Sequence, residues 1–305
     1  MSTSLQSSLL TIEPLLIPQN YSHIDLFSTF ANQAWSFWLD SCDSVHVDSR
    51  YDIMVWQPEV TITTHGSETK ITAINNDYKT LEAISTDDPL TLLKQTQATV
   101  LKHYTPKASH LPFSCGSVGY LAYDLGRRFE KLPRKKEKNI NAPEMAVGIY
   151  CHALVFDRQL NELHLVCPQQ QRLALTASLL RQVQRKSELL EPELSKDSNA
   201  FALTSPWQAN MDKQSYQAKF AQVQDYLLSG DCYQINLAQR FEASYQGDEF
   251  SAYLKLRECN QAPFSAFMRF DDYSILSISP ERFLQLQDAK VQSKPIKGTL
   301  PRAAN

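Results

Sequence analysis

Short segments in which apolar and polar residues alternate recur along this chain, and they limit its possible folds more than any other feature. The segments 60–64 and 68–74 flank a short turn around Gly66, and 273–278 alternates in the same way. A period of two is typical of half-buried strands, and a glycine-containing break between two of them is typical of a hairpin. Helical segments are interspersed without regular β–α–β units, so the sequence predicts an α+β fold.

Further elements are predicted from periodicity, composition and capping residues. Strands are predicted at 53–56, 145–156, 162–167, 232–241, 283–286 and 291–296. Helices are predicted at 24–39, from Asp88 to about His103, at 173–190, and from Asp212 to Gly230. The stretch 191–204 mixes Pro, Ser, Asp and Asn with little periodicity, so we expect a boundary there, between regions 1–190 and 205–305.

Composition and charge exclude several functional classes. The 305 residues carry a net charge of −3, which gives no basic surface for nucleic acid. The six cysteines are scattered without a CxxC pair, which is typical of reduced thiols in the cytoplasm. The longest nearly apolar stretch, 145–156, is too short to cross a bilayer. We therefore expect a cytoplasmic protein that binds a small molecule rather than nucleic acid or a membrane.

Two charged residues near the end of the sequence lie where predicted strands break. Glu281 directly follows a Ser-Pro dipeptide, and Lys297 lies in the motif PIKGT. Such residues are commonly solvated turn and surface charges. They could also act together, Glu281 as a protonated acid and Lys297 as an unprotonated nucleophile that its apolar neighbours desolvate. Residue type and spacing do not decide between these two interpretations.

Six motifs are spread over nearly the whole chain. They are LPFSCGSVGYLAYDLGRRFE (111–130), MAVGIY (145–150), SGDCYQINLAQRF (229–241), APFSAF (262–267), SPERF (279–283) and PIKGTLPR (295–302). Together they resemble the motifs of the chorismate-utilising enzymes, and most closely those of component I of aminodeoxychorismate synthases. Lys297 discriminates within that family, because anthranilate and isochorismate synthases carry alanine at the matching position.

The resemblance implies a more definite architecture than the strand pattern does. We expect two antiparallel β-sheets packed face to face with helices outside, and an active site in the cleft between the sheets. Region 1–190 then matches the N-terminal part of the component I enzymes, and 205–305 matches the first part of the chorismate-binding catalytic domain. The family's sequences continue beyond the position of Asn305, so we also expect a C-terminally truncated chain that is inactive alone.

The resemblance also implies a reaction and roles for three residues. Chorismate and ammonia would give 4-amino-4-deoxychorismate, a precursor of para-aminobenzoate and folate. Lys297 would add at carbon 2 while the hydroxyl at carbon 4 leaves, Glu281 would protonate that hydroxyl, and Thr299 would bind a substrate carboxylate. Glu281 must then be protonated when the substrate binds, which requires burial or a nearby negative charge.

Cofactor, partner and second-site expectations come from the same resemblance. Family members use Mg²⁺, whose usual ligands are absent from this sequence, and a glutamine amidotransferase subunit (component II) supplies the ammonia. A tryptophan pocket is expected from matches to its walls. These are Ser41, Asp48, Ser49, Arg50, Tyr51, Pro263, Phe264 and Ser265. The same residues could equally be ordinary core and turn residues, because proline and phenylalanine at a sheet junction need no ligand.

Two alternative functions stay open at this point. The chain could be a non-catalytic module that binds tryptophan or the partner subunit, since the expected metal ligands are missing. It could also be an anthranilate synthase component I, which Lys297 disfavours.

Overall fold

The computed structural model describes residues 8–42, 45–131, 140–188, 200–296, 298 and 301, and the side chains of 186–188 lie outside that description. The strands are β1 Ser8–Pro14, β2 Ser36–Asp40, β3 Tyr51–Val55, β4 Val60–His65, β5 Glu68–Ala73, β6 Ala83–Ser85, β7 Tyr104–Thr105, β8 Gly116–Leu121, β9 Met145–Tyr150, β10 Ala153–Asp157, β11 Glu162–Pro168, β12 Ala202–Leu203, β13 Gln208–Ala209, β14 Phe241–Glu242, β15 Tyr245–Gln246, β16 Ser265–Arg269, β17 Ser274–Ser277, β18 Arg282–Gln287 and β19 Lys290–Lys294. The α-helices are α1 His23–Ser28, α2 Pro89–Leu101, α3 Arg172–Glu188, α4 Lys213–Ser229 and α5 Glu249–Asn260. Short 3-10 helices cover Asn76–Leu81, Tyr123–Arg128 and Gln169–Gln171.

Two large sheets dominate the strand topology. The eight-stranded sheet has the order β17-β16-β2-β3-β10-β11-β1-β7, and the five-stranded sheet has the order β6-β5-β4-β9-β8. The strand pairs of both sheets are antiparallel, apart from the short parallel pair of β1 with β7 at one edge. Strands β18 and β19 form a separate two-stranded hairpin.

The two large sheets pack face to face. One continuous core cluster joins Val118 and Ala146 of the five-stranded sheet to Phe37, Val55 and Met268 of the eight-stranded sheet. Burial of such side chains is the main driving force for stacking two sheets. The predicted sandwich of two antiparallel sheets is therefore confirmed, with the single parallel pair as its exception.

Helices cover the outer face of the five-stranded sheet. Val100 of α2, Tyr78 and Leu125 pack with Ile62 and Ile149 in a second core cluster. These helical residues therefore bury the face of the sheet that points away from the sandwich interior.

Helices also cover the outer face of the eight-stranded sheet. The ring of Phe27 in α1 lies 5.5 Å from that of Trp38 and 6.3 Å from that of Phe267. Helix α3 contacts both α1 and β11. The expectation that helices lie outside the sandwich is confirmed.

The chain divides into two compact units, which we describe separately. One unit comprises the residues up to 194 and from 253 onward, and it contains both large sheets and the β18–β19 hairpin. The other, 195–252, contains helix α4 and two short strand pairs, β12 with β15 and β13 with β14. The boundary predicted at 191–204 lies largely outside the described residues, and the division into 1–190 and 205–305 stays a prediction.

Capping residues and turns gave reliable local predictions. Strands β4 and β5 form the expected hairpin, and Gly66 in its turn has a φ of 56°. Helix α2 begins after Asp88, whose side chain accepts a hydrogen bond from the backbone N–H of Thr91. Helix α4 begins after Asp212 and ends at Gly230, which has a φ of 82°. Glycine adopts this left-handed conformation without steric cost.

The helix predicted at 24–39 is wrong beyond Ser28. Helix α1 ends at Ser28, and Ser36–Asp40 is a central strand, β2, that pairs with β3 and β16. Four of its five residues are buried, so its apolar run shows no period of two. Such a run cannot be told from a buried helix by periodicity.

Two strand predictions also need correction. The stretch 145–156 contains two strands, because the chain leaves the five-stranded sheet after Tyr150 and enters the eight-stranded sheet at Ala153. Of the strand predicted at 232–241, only Phe241 lies in a strand, β14. Tyr233 in that stretch is almost fully exposed, so its alternation reflects no sheet in the described structure.

Candidate functional site

Three of the predicted tryptophan-pocket residues meet at one end of the eight-stranded sheet. Ser41 directly follows β2, Tyr51 begins β3, and Ser265 begins β16. The register pairs Ser265 with Asp40 and Leu39 with Ile53, which brings these strand ends side by side. Sequence motifs more than 200 residues apart therefore converge here.

A buried network of two aspartates and two arginines surrounds the side chain of Ser41. The Nε of Arg257 donates to Oδ2 of Asp40 at 2.6 Å, and Nη2 of Arg158 donates to Oδ2 of Asp52 at 2.5 Å. Both carboxylates are fully buried, and the arginine side chains are 5% and 14% exposed. The hydroxyl of Tyr253 also donates to Asp40 at 2.9 Å. Two negative and two positive charges thus compensate each other inside the fold, as buried charges require.

Ser41 is a member of this network rather than a free hydroxyl. Its Oγ donates to Oδ1 of Asp52 at 2.8 Å and accepts from Nε of Arg158 at 3.0 Å. A serine hydroxyl has one donor and two acceptor positions. A ligand reaching Ser41 would therefore have to offer a hydrogen-bond donor to the remaining lone pair.

The electrostatics of the network keep Asp52 ionised. Burial alone would raise the pKa of the Asp52 carboxyl, but the contact with His23 and the positive charge of Arg158 hold that pKa below its usual value. The Nε2 of His23 lies 3.2 Å from Oδ2 of Asp52. A cavity of about 640 Å³ borders the network and is lined in part by His23, Phe156 and Arg158.

Sequence reasoning missed most of this network. Asp40 is the last residue of the apolar strand SFWLD, and Asp52 is the second residue of YDIMV. A charged residue in such an apolar run is rarely buried without a partner. The two aspartates in these runs were therefore the sequence signal for buried ion pairs. The partners Arg158 and Arg257 lie more than 100 residues away and carry no local sign of their role.

The loop before β3 carries a second ion pair. Arg50 donates to Asp157 through Nε and Nη2, the latter at 2.8 Å, and its guanidinium lies 4.7 Å from the ring centre of Tyr51. Burial would raise the pKa of Asp157, but hydrogen bonds from Arg50 and two backbone N–H groups hold it below its usual value. Ser49 donates its backbone N–H to the carbonyl of His46 and so closes the loop. Arg50 and Tyr51 thus have structural partners in place.

Asp48 in the same loop reaches the β18–β19 hairpin. Its carboxylate accepts from Nη2 of Arg282 at 3.0 Å and from Nζ of Lys294 at 2.7 Å. Partial burial would raise the pKa of Asp48, but the hydrogen bond from Lys294 and the charge of Arg282 hold it below its usual value. Phe264, beside half-buried Pro263, lies under the guanidinium of Arg282 at 5.0 Å.

Glu281 precedes this hairpin directly and is exposed. Its Oε1 accepts a hydrogen bond from the backbone N–H of Ile296 at 3.2 Å, and its own N–H is donated to Ser279. The described residues therefore do not supply the burial that a protonated Glu281 needs. Lys297 and Thr299 lie outside the described residues, so the pairing of Glu281 with Lys297 stays a prediction.

Within the described ranges, no three His, Cys, Asp or Glu side chains come together as ligands for a metal ion. In the same ranges no helix is both long and apolar enough to cross a membrane.

Comparison with known proteins adds to this geometry. The sequence profile of the family described as "chorismate binding enzyme" matches residues 35–305. Aminodeoxychorismate synthase component 1 of Klebsiella aerogenes is 45% identical over 283 residues, which cover 92% of this chain and 58% of the relative. The protein of the same name from Escherichia coli K12 is 44% identical, with coverages of 90% and 57%.

More distant relatives carry a different name. Anthranilate synthase component 1 of Acetivibrio thermocellus is 26% identical over 294 residues, which cover 92% of this chain and 57% of the relative. The crystal structure of anthranilate synthase component I from Streptococcus pneumoniae superposes with a TM-score of 0.62 at 24% identity, covering 81% of this chain and 54% of that one. At this identity the likeness shows the fold alone. The chain spans slightly under three fifths of the length of the curated relatives it matches.

Proposed function

This chain belongs to the family of chorismate binding enzymes, and from that premise we propose that it acts as component I of an aminodeoxychorismate synthase. Its substrates would be chorismate and ammonia, and its product 4-amino-4-deoxychorismate, for para-aminobenzoate and folate synthesis. Identities of 42–45% to proteins of that name, against 25–28% to anthranilate synthases, support this choice within the family.

One observation carries the choice of reaction. Lys297 stands in the motif PIKGT, where the anthranilate-forming relatives are expected to carry alanine. A lysine amine can add to carbon 2 of chorismate while both conjugated ring double bonds shift and the carbon 4 hydroxyl leaves. Ammonia then adds at carbon 4, both double bonds shift back, and the bond between carbon 2 and the lysine nitrogen breaks. The net change replaces the carbon 4 hydroxyl by an amino group and releases water.

Glu281 is proposed as the acid that protonates the leaving hydroxyl. Hydroxide is a poor leaving group, and a positioned acid accelerates such a step by a typical factor of about 10²–10⁴. Thr299 is proposed to bind a substrate carboxylate. The hydrogen bond from the Ile296 N–H to Glu281 supports a close approach of the PIKGT segment to this carboxylate.

The family resemblance further supports a cofactor, a partner and a compartment. We propose Mg²⁺ as a cofactor that binds the substrate carboxylate, and a glutamine amidotransferase subunit as the source of ammonia. The described residues form no cluster of side chains that fits a metal ion. We therefore assign Mg²⁺ no role in the catalytic steps proposed for this chain. Six free cysteines are consistent with a reducing cytoplasm.

Tryptophan is proposed as a ligand at the end of β2, β3 and β16. The convergence of Ser41, Tyr51 and Ser265 at neighbouring strand ends supports this site. The bonds that already engage Ser41 and Arg50 limit which tryptophan atoms could bind, because the ligand has to offer a donor to Ser41.

The function is tested in a version extended to the full length of the relatives. Product formation from chorismate, Mg²⁺ and ammonium is detected after a lyase converts aminodeoxychorismate to fluorescent para-aminobenzoate. We expect Lys297→Ala to abolish product, because the covalent step needs the amine. Lys290→Ala is the matched control, since Lys290 lies in the exposed hairpin and has no assigned role. Unchanged product with Lys297→Ala would contradict the covalent role of Lys297.

Calorimetry separates the enzyme from the binding-module alternative. Chorismate binding that requires Mg²⁺ supports the enzyme, whereas tryptophan binding without any chorismate binding supports the module. Formation of anthranilate instead of aminodeoxychorismate would identify the other branch of the family.

A further inference from the structure

The base of the β18–β19 hairpin carries polar contacts to another part of the chain. Its strands pair Arg282 with Lys294 at one end and Gln287 with Lys290 at the other. In the part of the chain that the structure describes, the hairpin joins neither large sheet. Phe283 is 83% exposed and Leu286 72% exposed. Among the described residues, contacts at the base of the hairpin connect it to the loop before β3.

Those contacts converge on the carboxylate of Asp48. Lys294 donates from Nζ to both oxygens, at 2.8 and 2.7 Å, and Arg282 donates from Nη2 to Oδ1 at 3.0 Å. Arg282 is the first residue of β18 and Lys294 the last residue of β19, and they face each other in the register. One carboxylate therefore connects both strands of the hairpin at their base to the loop before β3.

Neighbouring contacts make this connection specific. The guanidinium of Arg282 lies over the ring of Phe264, whose backbone N–H donates to the carbonyl of Ser279 at 3.1 Å. The Nδ1 of His46 lies 3.5 Å from Oδ2 of Asp48, whose side chain is 9% exposed. Charge-assisted hydrogen bonds at this degree of burial are stronger than those of a fully solvated pair.

The geometry points to Asp48 as a positioning residue for the acid Glu281. Glu281 directly precedes Arg282, and Ile296, whose N–H binds the Glu281 carboxylate, follows Lys294 by two residues. Fixing the base of the hairpin therefore fixes both sides of that hydrogen bond. The role of Glu281 in catalysis rests on the proposed function, whereas the tether by Asp48 does not.

A positioning role for Asp48 differs from its predicted role as a wall of the tryptophan pocket. Three hydrogen bonds from Arg282 and Lys294 already occupy the Asp48 carboxylate, which has about four acceptor positions. A tryptophan ammonium group would have to displace one of these donors or use the remaining position. Asp48 acts through Arg282 and Lys294 and need not touch the substrate.

Amide hydrogen exchange of the whole chain tests the tether. We expect Asp48→Asn to speed amide exchange across 282–296 about tenfold. The asparagine side chain keeps the size of aspartate but lacks the negative charge that pairs with Arg282 and Lys294. The N–H of Ile296 should show the change most directly, since it donates to Glu281. Asp48→Glu should restore slow exchange. Asp124→Asn, which breaks the exposed pair with Arg127, is the matched control and should leave the hairpin unchanged.

A double variant shows whether faster exchange in Asp48→Asn comes from loss of the contact with Lys294 or from another effect of the substitution. Lys294→Gln alone should also speed exchange in the hairpin, and the combination with Asp48→Asn should add little to the faster of the two. Full additivity would contradict a shared tether. Hairpin exchange that is unchanged in Asp48→Asn, or raised equally in β2 and β3, would also overturn the assignment.

Product formation separates this inference from the proposed function. If the wild type makes aminodeoxychorismate, Asp48→Asn should lower kcat about tenfold with little change in KM, because the acid is misplaced while substrate contacts remain. A full-length wild type that makes no aminodeoxychorismate would remove the proposed function, and the exchange data would still decide the tether.

Discussion

Two aspartate clusters lie close together along the chain and differ in how solvent reaches them. Asp40 and Asp52 are fully buried with Arg257 and Arg158, whereas the partners of Asp48 are 18% and 35% exposed. A buried charge that loses its partner cannot be rescued by water, while an exposed charge can. Loss of one partner is therefore expected to destabilise the whole fold in the first cluster, and to loosen only the local contact in the second.

The largest expected effect comes from breaking the buried cluster. Arg257→Met would leave the Asp40 carboxylate without its main countercharge, and also remove the guanidinium that lies 5.2 Å from the ring centre of Trp38. We expect a loss of about 3–5 kcal/mol in the free energy of unfolding. Urea denaturation of the purified chain measures it.

Arg127→Met is the control for that experiment, because its pair with Asp124 is exposed. It should change the free energy of unfolding by less than about 1 kcal/mol. If the two variants lose similar amounts, burial does not distinguish the clusters and the comparison fails.

His152 is a buried base that lacks a charged partner among the described residues, in contrast to the paired charges of the two aspartate clusters. Burial lowers the pKa of His152 from 6.5 to about 4, although the imidazole has a hydrogen bond with the backbone of Trp56. Its Nε2 has no hydrogen-bond partner among the described residues. The unfolded chain therefore binds a proton at His152 at a higher pH than the folded chain does.

The sign of the resulting pH dependence follows from this difference. The contribution of neutral His152 to stability is fully present above about pH 6.5 and is lost as the pH falls towards 4, by about 3 kcal/mol. Carboxylates also titrate in this window, so the measurement is the difference from His152→Asn, which cannot be protonated there. Parallel stability curves for the two proteins between pH 7 and 4 would contradict a buried neutral histidine.

The sequence predicts what local chemistry determines and misses what distant residues determine. The start of α2 at Asp88 and the end of α4 at Gly230 follow from capping rules that involve a few neighbouring residues. The strand β2 does not follow from local rules. Its apolar run is extended because it pairs with β3 and β16. Tertiary pairing overrides local preference at such a position.

The candidate site shows the same division. Motif resemblance selected Ser41 and Asp48, but not their partners Arg158 and Arg282, which lie 117 and 234 residues away. Whether a polar residue contacts a ligand or another side chain depends on those partners. A single sequence therefore selects candidate residues such as Ser41 and Asp48 without showing the distant side chains that contact them.

The smallest expected effect concerns the Asp48 cluster, whose two cations are partly exposed, and its response to salt. Asp48→Asn should lower the global free energy of unfolding by about 1 kcal/mol or less, because solvent reaches both partner cations. Raising the ionic strength from about 0.1 M to about 1 M shortens the Debye length from about 10 Å to about 3 Å. Hairpin exchange at 282–296 should then become faster in the wild type but change little in Asp48→Asn, which has already lost the ion pairs. Exchange in β2, which ends at the buried Asp40, should not respond to salt in either protein. A hairpin that is insensitive to salt in the wild type would mean that packing on Phe264, and not the charge of Asp48, fixes its base.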